Sequence, residues 1–141
     1  MYEDKDIEKI LLGKLITYPK EYIKHHANIS EDMFVNVTNI NIFNSYNKLQ
    51  SQGKAPDLVN LSKELKGTEQ FIDLTLSRMA NEDAFLPIEI ETCIVRLKQA
   101  QTSRNIFEFA KQLSIYIENL EDVDKIIKFI TEKSSNLDSN E

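Results

Sequence analysis

The 141-residue chain has few side chains of the kinds that perform chemistry, and their spacing does not group them. His25 and His26 are adjacent, and neighbours on a helix point about 100° apart, so the two imidazoles cannot clamp one metal ion. Cys93 lies between Ile90 and Ile94 in a helical apolar pattern, where it fits as a small buried residue rather than as a nucleophile. The sequence therefore predicts no catalytic residue and no metal site.

Carboxylates are plentiful, but they cluster where helices are expected to start and there satisfy backbone N–H groups and the helix dipole. No pair of them is spaced as an acid/base couple. The three glycines, Gly13, Gly53 and Gly67, are isolated, so the chain contains neither a GxxxxGK[ST] phosphate loop nor a GxGxxG dinucleotide fingerprint. These features predict a protein that is not an enzyme and binds no cofactor.

The bulk composition narrows the class of protein further. The net charge is −6, which disfavours direct binding to nucleic-acid phosphates. A single cysteine fits a reducing compartment. The N-terminus is acidic without the apolar core of a secretory signal, and no run approaches the roughly 18 apolar residues of a membrane span. We expect a cytoplasmic protein with no membrane partner.

Few glycines and prolines, together with apolar residues three and four apart, predict an all-α fold. Closely joined short helices over residues 1–84 predict a compact multi-helix head. Gly13 lies inside the first helix, and such a glycine indicates a close packing contact. Residues 87–119 contain no stop signal, so they predict a helix on the order of 45–50 Å long. With a last helix after Asp122, residues 87–135 predict a protruding antiparallel hairpin, and 136–141 a polar tail or the start of a linker.

Apolar residues in the hairpin alternate by four and three, as in a coiled-coil seam, and on the long helix this spacing continues to Leu120. The predicted hairpin seam and oligomer interface consists of Ile94, Leu97, Ile106, Ala110, Leu113, Ile117, Val123, Ile126, Ile127 and Ile130. One hairpin buries only part of its apolar surface in itself, so the rest needs a partner, either the head or a second copy of the chain. We expect the second copy, because protruding hairpins commonly pack in symmetric pairs.

The stretch KLQSQGKAPDLVNLSKEL, residues 48–65, predicts a sharp corner between two helices. Gly53 can end the first helix, Pro56 cannot continue it, and Asp57 can cap the second. A helix-turn-helix DNA-binding module is the alternative interpretation. It is poorly supported because the second helix offers no arginine for guanine edges and only Asn60 for adenine.

Four segments in this order resemble one family: EKILLGKLI (8–16), EDMF (31–34), IFNSYNKLQSQGKAPDLVNLSKEL (42–65) and IVRLKQAQTSRNIFEFAKQL (94–113). Together they resemble the N-terminal domain of DnaB-type replicative DNA helicases. That family usually has an aromatic residue in place of Val35 and a histidine in place of Asn39.

The resemblance implies a non-catalytic collar domain. In such helicases the hairpins pair, and a hexamer carries a collar built as a trimer of dimers that docks primase and also interacts with helicase loaders. The collar surrounds the DNA channel, so it touches DNA only indirectly. The ATP-dependent motor domain would belong to a longer parent chain. The alternative is a free-standing adaptor or regulator of helicase or primase that lacks the motor.

Overall fold

The computed structural model describes residues 3–119 and 122–137, and within these ranges every regular element is helical. The all-α prediction is therefore confirmed. The helices are α1 (Asp4–Thr17), α2 (Pro19–His25), α3 (Val37–Ser51), α4 (Leu58–Glu64), α5 (Ile72–Asn81), α6 (Ile90–Glu118) and α7 (Val123–Ser134). Short 3-10 turns occur at His26–Asn28, Glu31–Met33 and Asp83–Phe85. Leu120 and residues 138–141 of the expected tail lie outside the described residues.

The chain divides into two compact units, a head unit (Met1–Leu97) and a hairpin unit (Lys98–Glu141). Helix α6 begins in the head unit, so the first eight residues of the long helix belong to that unit. The sequence predicts an earlier boundary, between residues 84 and 87, and the assignment of two separate domains stays a prediction.

Helix α1 lies at the centre of the head unit because apolar side chains occupy more than one of its faces. Ile7, Ile10, Leu11, Leu12 and Leu15 are completely buried. The helix packs against α2, α3 and α5, and a helix that is apolar nearly all round needs such neighbours. The start of α6 completes the same core with Ile90, Cys93, Ile94 and Leu97.

Gly13 lies where α1 packs closely against the backbone of α5. A Cβ atom built on Gly13 would lie 2.2 Å from the Met79 carbonyl oxygen and 3.1 Å from the Ala84 nitrogen. The close packing contact expected at this glycine is confirmed. Two side chains of α1 bind the same region: Lys14 Nζ donates to the Ala84 carbonyl at 2.9 Å, and Thr17 Oγ1 donates to the Ala80 carbonyl at 3.1 Å.

A buried carboxylate on α1 orders the start of α3. Glu8 is 1% exposed and accepts hydrogen bonds from Val35 N at 3.0 Å, Asn36 N at 3.3 Å and Asn39 Nδ2 at 3.0 Å. Thr38 or Asn39 is the N-cap that the sequence suggests, but the cap is Asn36, whose Oδ1 accepts from Asn39 N. Asn39 is buried against Glu8 instead, which local sequence does not indicate.

The corner between α3 and α4 contains the three residues expected there. Gly53 has φ of 70°, which a residue with a Cβ atom rarely adopts. Pro56 is buried, and Asp57 Oδ1 accepts from Asn60 N at 2.9 Å to cap α4. Asn60 Nδ2 also donates to the Ala55 carbonyl at 2.8 Å, so its amide holds the corner together.

Candidate functional site

The hairpin unit is held together by stacked aromatic side chains. The rings of Phe109 and Phe129 are 5.5 Å apart and nearly parallel, and Tyr116 meets Phe129 edge-on at 4.8 Å. Asn105 Nδ2 donates to the Leu137 carbonyl at 3.4 Å. Asn105 on α6 thus meets Leu137, whereas Phe109 and Tyr116, further along α6, meet the earlier residue Phe129 on α7. The two helices are therefore antiparallel.

The residues of this internal contact are not in the predicted seam. Phe109, Tyr116 and Phe129 make the contact, whereas the alternating spacing indicates Ile106, Ala110, Leu113 and Ile117. A signal for the true contact does exist in the sequence, since Phe109 and Tyr116 are seven residues apart, one heptad. Two heptad-like patterns therefore run along neighbouring faces of α6.

The predicted seam residues fall into three groups. Ile94 and Leu97 are buried in the core of the head unit. Leu113 and Ile126 are half-buried beside the aromatic contact. The other six are exposed to solvent: Ile106, Ala110 and Ile117 on α6, and Val123, Ile127 and Ile130 on α7. These six residues are called the hairpin stripe.

The hairpin stripe occupies one side of α6. At about 100° per residue, Ile106, Ala110 and Ile117 fall about 60–100° around the helix from Phe109, all in the same rotational sense. Ile106 is 50% exposed and Ile117 is 56% exposed. Phe107, also exposed, lies further round in the same direction.

The part of the stripe on α7 lies on the same side of the hairpin. Val123, Ile127 and Ile130 fall about 100–160° from Phe129, again in the direction of increasing rotation. In an antiparallel pair, equal rotation away from the shared contact brings both helices to the same side of the pair. Val123 is 68% exposed, so this apolar surface extends across both helices.

The opposite side of the hairpin is charged. Arg104 and Glu108 lie there on α6, and Lys128 and Glu132 lie there on α7, where they form an ion pair at 4.0 Å. Ile115 is an exposed apolar residue of α6 on this side. The hairpin is thus amphipathic as a unit, with an apolar surface that its own two helices leave uncovered.

Cys93 and His25, two side chains of types that can perform chemistry, both contact structural neighbours in the head unit. Cys93 is completely buried, and burial raises the pKa of its thiol to about 11, so the thiol stays protonated near neutral pH. His25 Nε2 lies 3.4 Å from a carboxylate oxygen of Glu21 and of Glu91, a contact that joins α2 to α6. Within residues 3–119 and 122–137, no three His, Cys, Asp or Glu side chains come together as metal ligands.

The described residues form a small all-helical domain that exposes one apolar surface on its hairpin, the hairpin stripe. The family model of the DnaB-like helicase N terminal domain matches residues 1–84, which is more than half of the chain. The chain therefore belongs to this family, and such a domain by itself is non-catalytic. No curated protein matches the sequence. Among the described helices, none combines the length and apolar character needed to cross a membrane.

Proposed function

We propose that the chain is an assembly domain of a replicative helicase in which the hairpin stripe pairs with the hairpin stripe of a second copy. The observation that carries this proposal is the stripe itself, a continuous apolar surface on one side of an otherwise charged hairpin. Such a surface supports pairing because association removes contiguous apolar side chains from water.

The size of the stripe is adequate for pairing. Fully burying an isoleucine or valine side chain contributes about 1.5–3 kcal/mol, and a two-fold contact counts every residue twice. Five of the six stripe residues are isoleucine or valine, with Ala110 as the small member that allows close approach. Association costs about 4–15 kcal/mol in lost translational and rotational freedom. Partial burial of the stripe residues on both copies offsets this cost, so it suffices for a dimer.

The family membership supports the wider proposal that three such dimers form a hexameric collar. The collar would dock primase, interact with helicase loaders and touch DNA only indirectly, in the cytoplasm. The corner between α3 and α4 does not favour a DNA-reading role, because the Asn60 amide is bonded to the Ala55 carbonyl.

Sedimentation across a wide concentration range tests the pairing, and titration with primase tests the docking. We expect dimers, and larger even-numbered species at high concentration, with primase binding to the assembled form. A strictly monomeric chain that does not bind primase would contradict the proposal. A chain that enters a complete helicase hexamer in place of one subunit would indicate the free-standing adaptor instead.

A further inference from the structure

Two copies of the hairpin stripe can be related by a two-fold axis in two ways. If the axis runs across the hairpin, α6 faces α6 of the partner and the two hairpin tips point in opposite directions. If the axis runs along the hairpin, α6 faces α7 of the partner and the tips lie side by side. The hairpin tip is residues 116–124, where α6 ends and α7 begins.

The apolar spacing on α6 is the same in both directions. Ile106, Ala110, Leu113 and Ile117 follow one another by four, three and four residues. If an antiparallel copy of α6 is centred on the midpoint of this set, Ile106 meets Ile117 of the partner. Ala110 then meets the partner's Leu113, so a small side chain lies opposite a larger one.

Helix α7 has the same kind of symmetry. Its apolar side chains Val123, Ile126, Ile127 and Ile130 are spaced evenly about a midpoint between Ile126 and Ile127. In an antiparallel copy of α7 centred there, Val123 meets the partner's Ile130. Ile126 likewise meets the partner's Ile127.

The two midpoints lie at the same height along the hairpin. The stacked rings of Phe109 and Phe129 place these two residues level with each other. The α6 midpoint lies between the second and third residues after Phe109, and the α7 midpoint lies between the second and third residues before Phe129. Because the helices are antiparallel, both midpoints are displaced equally towards the tip. A single axis across the hairpin therefore gives every seam residue of the hairpin unit an apolar counterpart.

An axis along the hairpin does not align the apolar side chains. Such an axis keeps both copies at the same height, so α6 cannot slide along the facing α7. Counted from the stacked phenylalanines, Ile106 would lie level with the partner's Glu132. Ala110 would lie level with the partner's Lys128. The apolar residues of α6 and of the partner's α7 would be out of step.

The charge of the hairpin tip also distinguishes the two orientations. Residues 116–124 contain four carboxylates and neither lysine nor arginine. The four are Glu118, Glu121, Asp122 and Asp124. With the tips side by side, the carboxylates of both copies would gather at one end and repel each other over a Debye length of about 8–10 Å. That repulsion disfavours the axis along the hairpin.

With the tips in opposite directions, each tip meets a neutral part of the partner instead. The described carboxylates of the tip lie level with the partner's residues 103–109 and 129–135, and each of these stretches contains one cation and one carboxylate. Lys111, Lys125 and Lys128 are near the middle of the hairpin and lie close in height to the partner's cations in either orientation. The tips therefore decide between the two.

We infer that the two hairpins pair with their tips pointing in opposite directions, so that Ile106 of each copy meets Ile117 of the other. This inference rests on the proposed pairing through the hairpin stripe and adds its orientation and register.

Cross-linking between introduced cysteines tests the orientation in the full chain. Ile106→Cys and Ile117→Cys are mixed, one of them with an affinity tag, and treated with a short bifunctional maleimide. We expect cross-linked dimers that contain one chain of each variant. Neither variant alone should cross-link, because each residue would lie about 16 Å along the helix from its own counterpart.

Two controls make the test specific. The unchanged chain should not cross-link, since Cys93 is completely buried. A mixture of Ile117→Cys with Val123→Cys reports the other orientation, in which these two residues would lie close together at the paired tips. This second mixture should give no dimer that joins the two variants.

Sedimentation equilibrium of the same variants separates this inference from the proposed function. A dimer that cross-links through Ile117 and Val123, or in neither mixture, would overturn the orientation and leave the pairing intact. A chain that stays monomeric would contradict the pairing itself, and the orientation with it.

Discussion

Gly13→Ala tests the close packing of α1 against the backbone of α5. In an exposed helix this change stabilises by about 1 kcal/mol, because alanine is the better helix former. At Gly13 the new Cβ would lie 2.2 Å from the Met79 carbonyl oxygen and 2.9 Å from the carbonyl carbon, both backbone atoms of α5. Ordinary carbon contacts are about 3.5–4 Å, so α1 and α5 would have to separate by more than about 1 Å.

That separation would also weaken the polar contacts that α1 makes with the end of α5 and with the turn after it. Lys14 and Thr17 bind the carbonyl groups of Ala84 and Ala80, close to the clash with Met79. Overpacking of a well-filled core costs about 1–3 kcal/mol, and the loss of hydrogen-bond geometry adds to this cost. After the gain in helix propensity, we expect a net loss of about 2 kcal/mol in the free energy of unfolding.

Thermal and urea unfolding followed by circular dichroism measure this loss. For a domain of this size, about 2 kcal/mol corresponds to a fall of roughly 10 °C in Tm. Gly67→Ala is the comparison variant, since Gly67 has φ of 85° but no atom within 4 Å of an added Cβ, so its cost is about 1–2 kcal/mol of backbone strain alone. An unchanged or raised Tm for Gly13→Ala would refute the close packing of α1 on α5.

Three further predictions concern stability. Burial raises the pKa of Tyr46 from 10.0 to about 12, so the stability that the neutral phenol contributes is fully present below pH 10 and is lost as pH rises towards 12. The free energy of unfolding should fall by about 2 kcal/mol across that range. In Tyr46→Phe, which has no phenol to ionise, the fall should be less steep. Glu8→Gln should cost about 2 kcal/mol in urea unfolding, because an amide NH2 cannot accept from the backbone N–H groups that Glu8 binds; a cost below the error of measurement would contradict that role. Asp57→Ala removes the cap of α4 and should cost about 1 kcal/mol, whereas Asp57→Asn, which keeps an acceptor oxygen, should cost little.

Local signals in the sequence predict much of the head unit. Helical spacing identifies α1 and α3, and Gly13 indicates a close contact that the structure contains. The cap of α7 is also local: the sequence suggests Asp122 or Asp124 as the cap, and the carboxylate of Asp122 accepts from Asp124 N at 2.7 Å. Such features depend on residues within one or two turns of each other, so one sequence suffices to find them.

Other features depend on contacts between distant residues. The sequence suggests a helix start at Thr68 or Glu69, but α5 begins at Ile72. Thr68 Oγ1 donates to the Leu65 carbonyl at 2.7 Å, and Glu69 accepts from Thr38, so these side chains hold a turn before the helix. The buried bonds of Glu8 to the start of α3 span nearly thirty residues and have no local signal.

In the hairpin, too, local sequence predicts part of the structure and contacts between distant residues decide the rest. The spacing of four and three locates an apolar pattern at Ile106, Ala110 and Ile117, but it does not say which surface that pattern meets. Helix α6 has two neighbouring apolar faces, and both show this kind of spacing. The contact between α6 and α7 is made by the aromatic face, through Phe109 and Phe129. The pattern therefore marks residues that are exposed within a single chain.

The central claim is that the hairpin stripe joins two copies of the chain, and one pair of variants tests it most directly. Ile117→Asp places a charge in the stripe, whereas Ile115→Asp makes the same change two residues away on the charged side of α6. The two isoleucines are similarly exposed, at 56% and 46%, so neither change should unfold the hairpin.

Sedimentation equilibrium of the two variants gives the deciding measurement, the dissociation constant of the dimer. With two copies of the residue in a two-fold contact, Ile117→Asp should weaken the dimer by more than about a hundredfold, and Ile115→Asp should leave it close to the original value. Equal effects of the two variants, or a dimer unaffected by Ile117→Asp, would contradict pairing through the hairpin stripe.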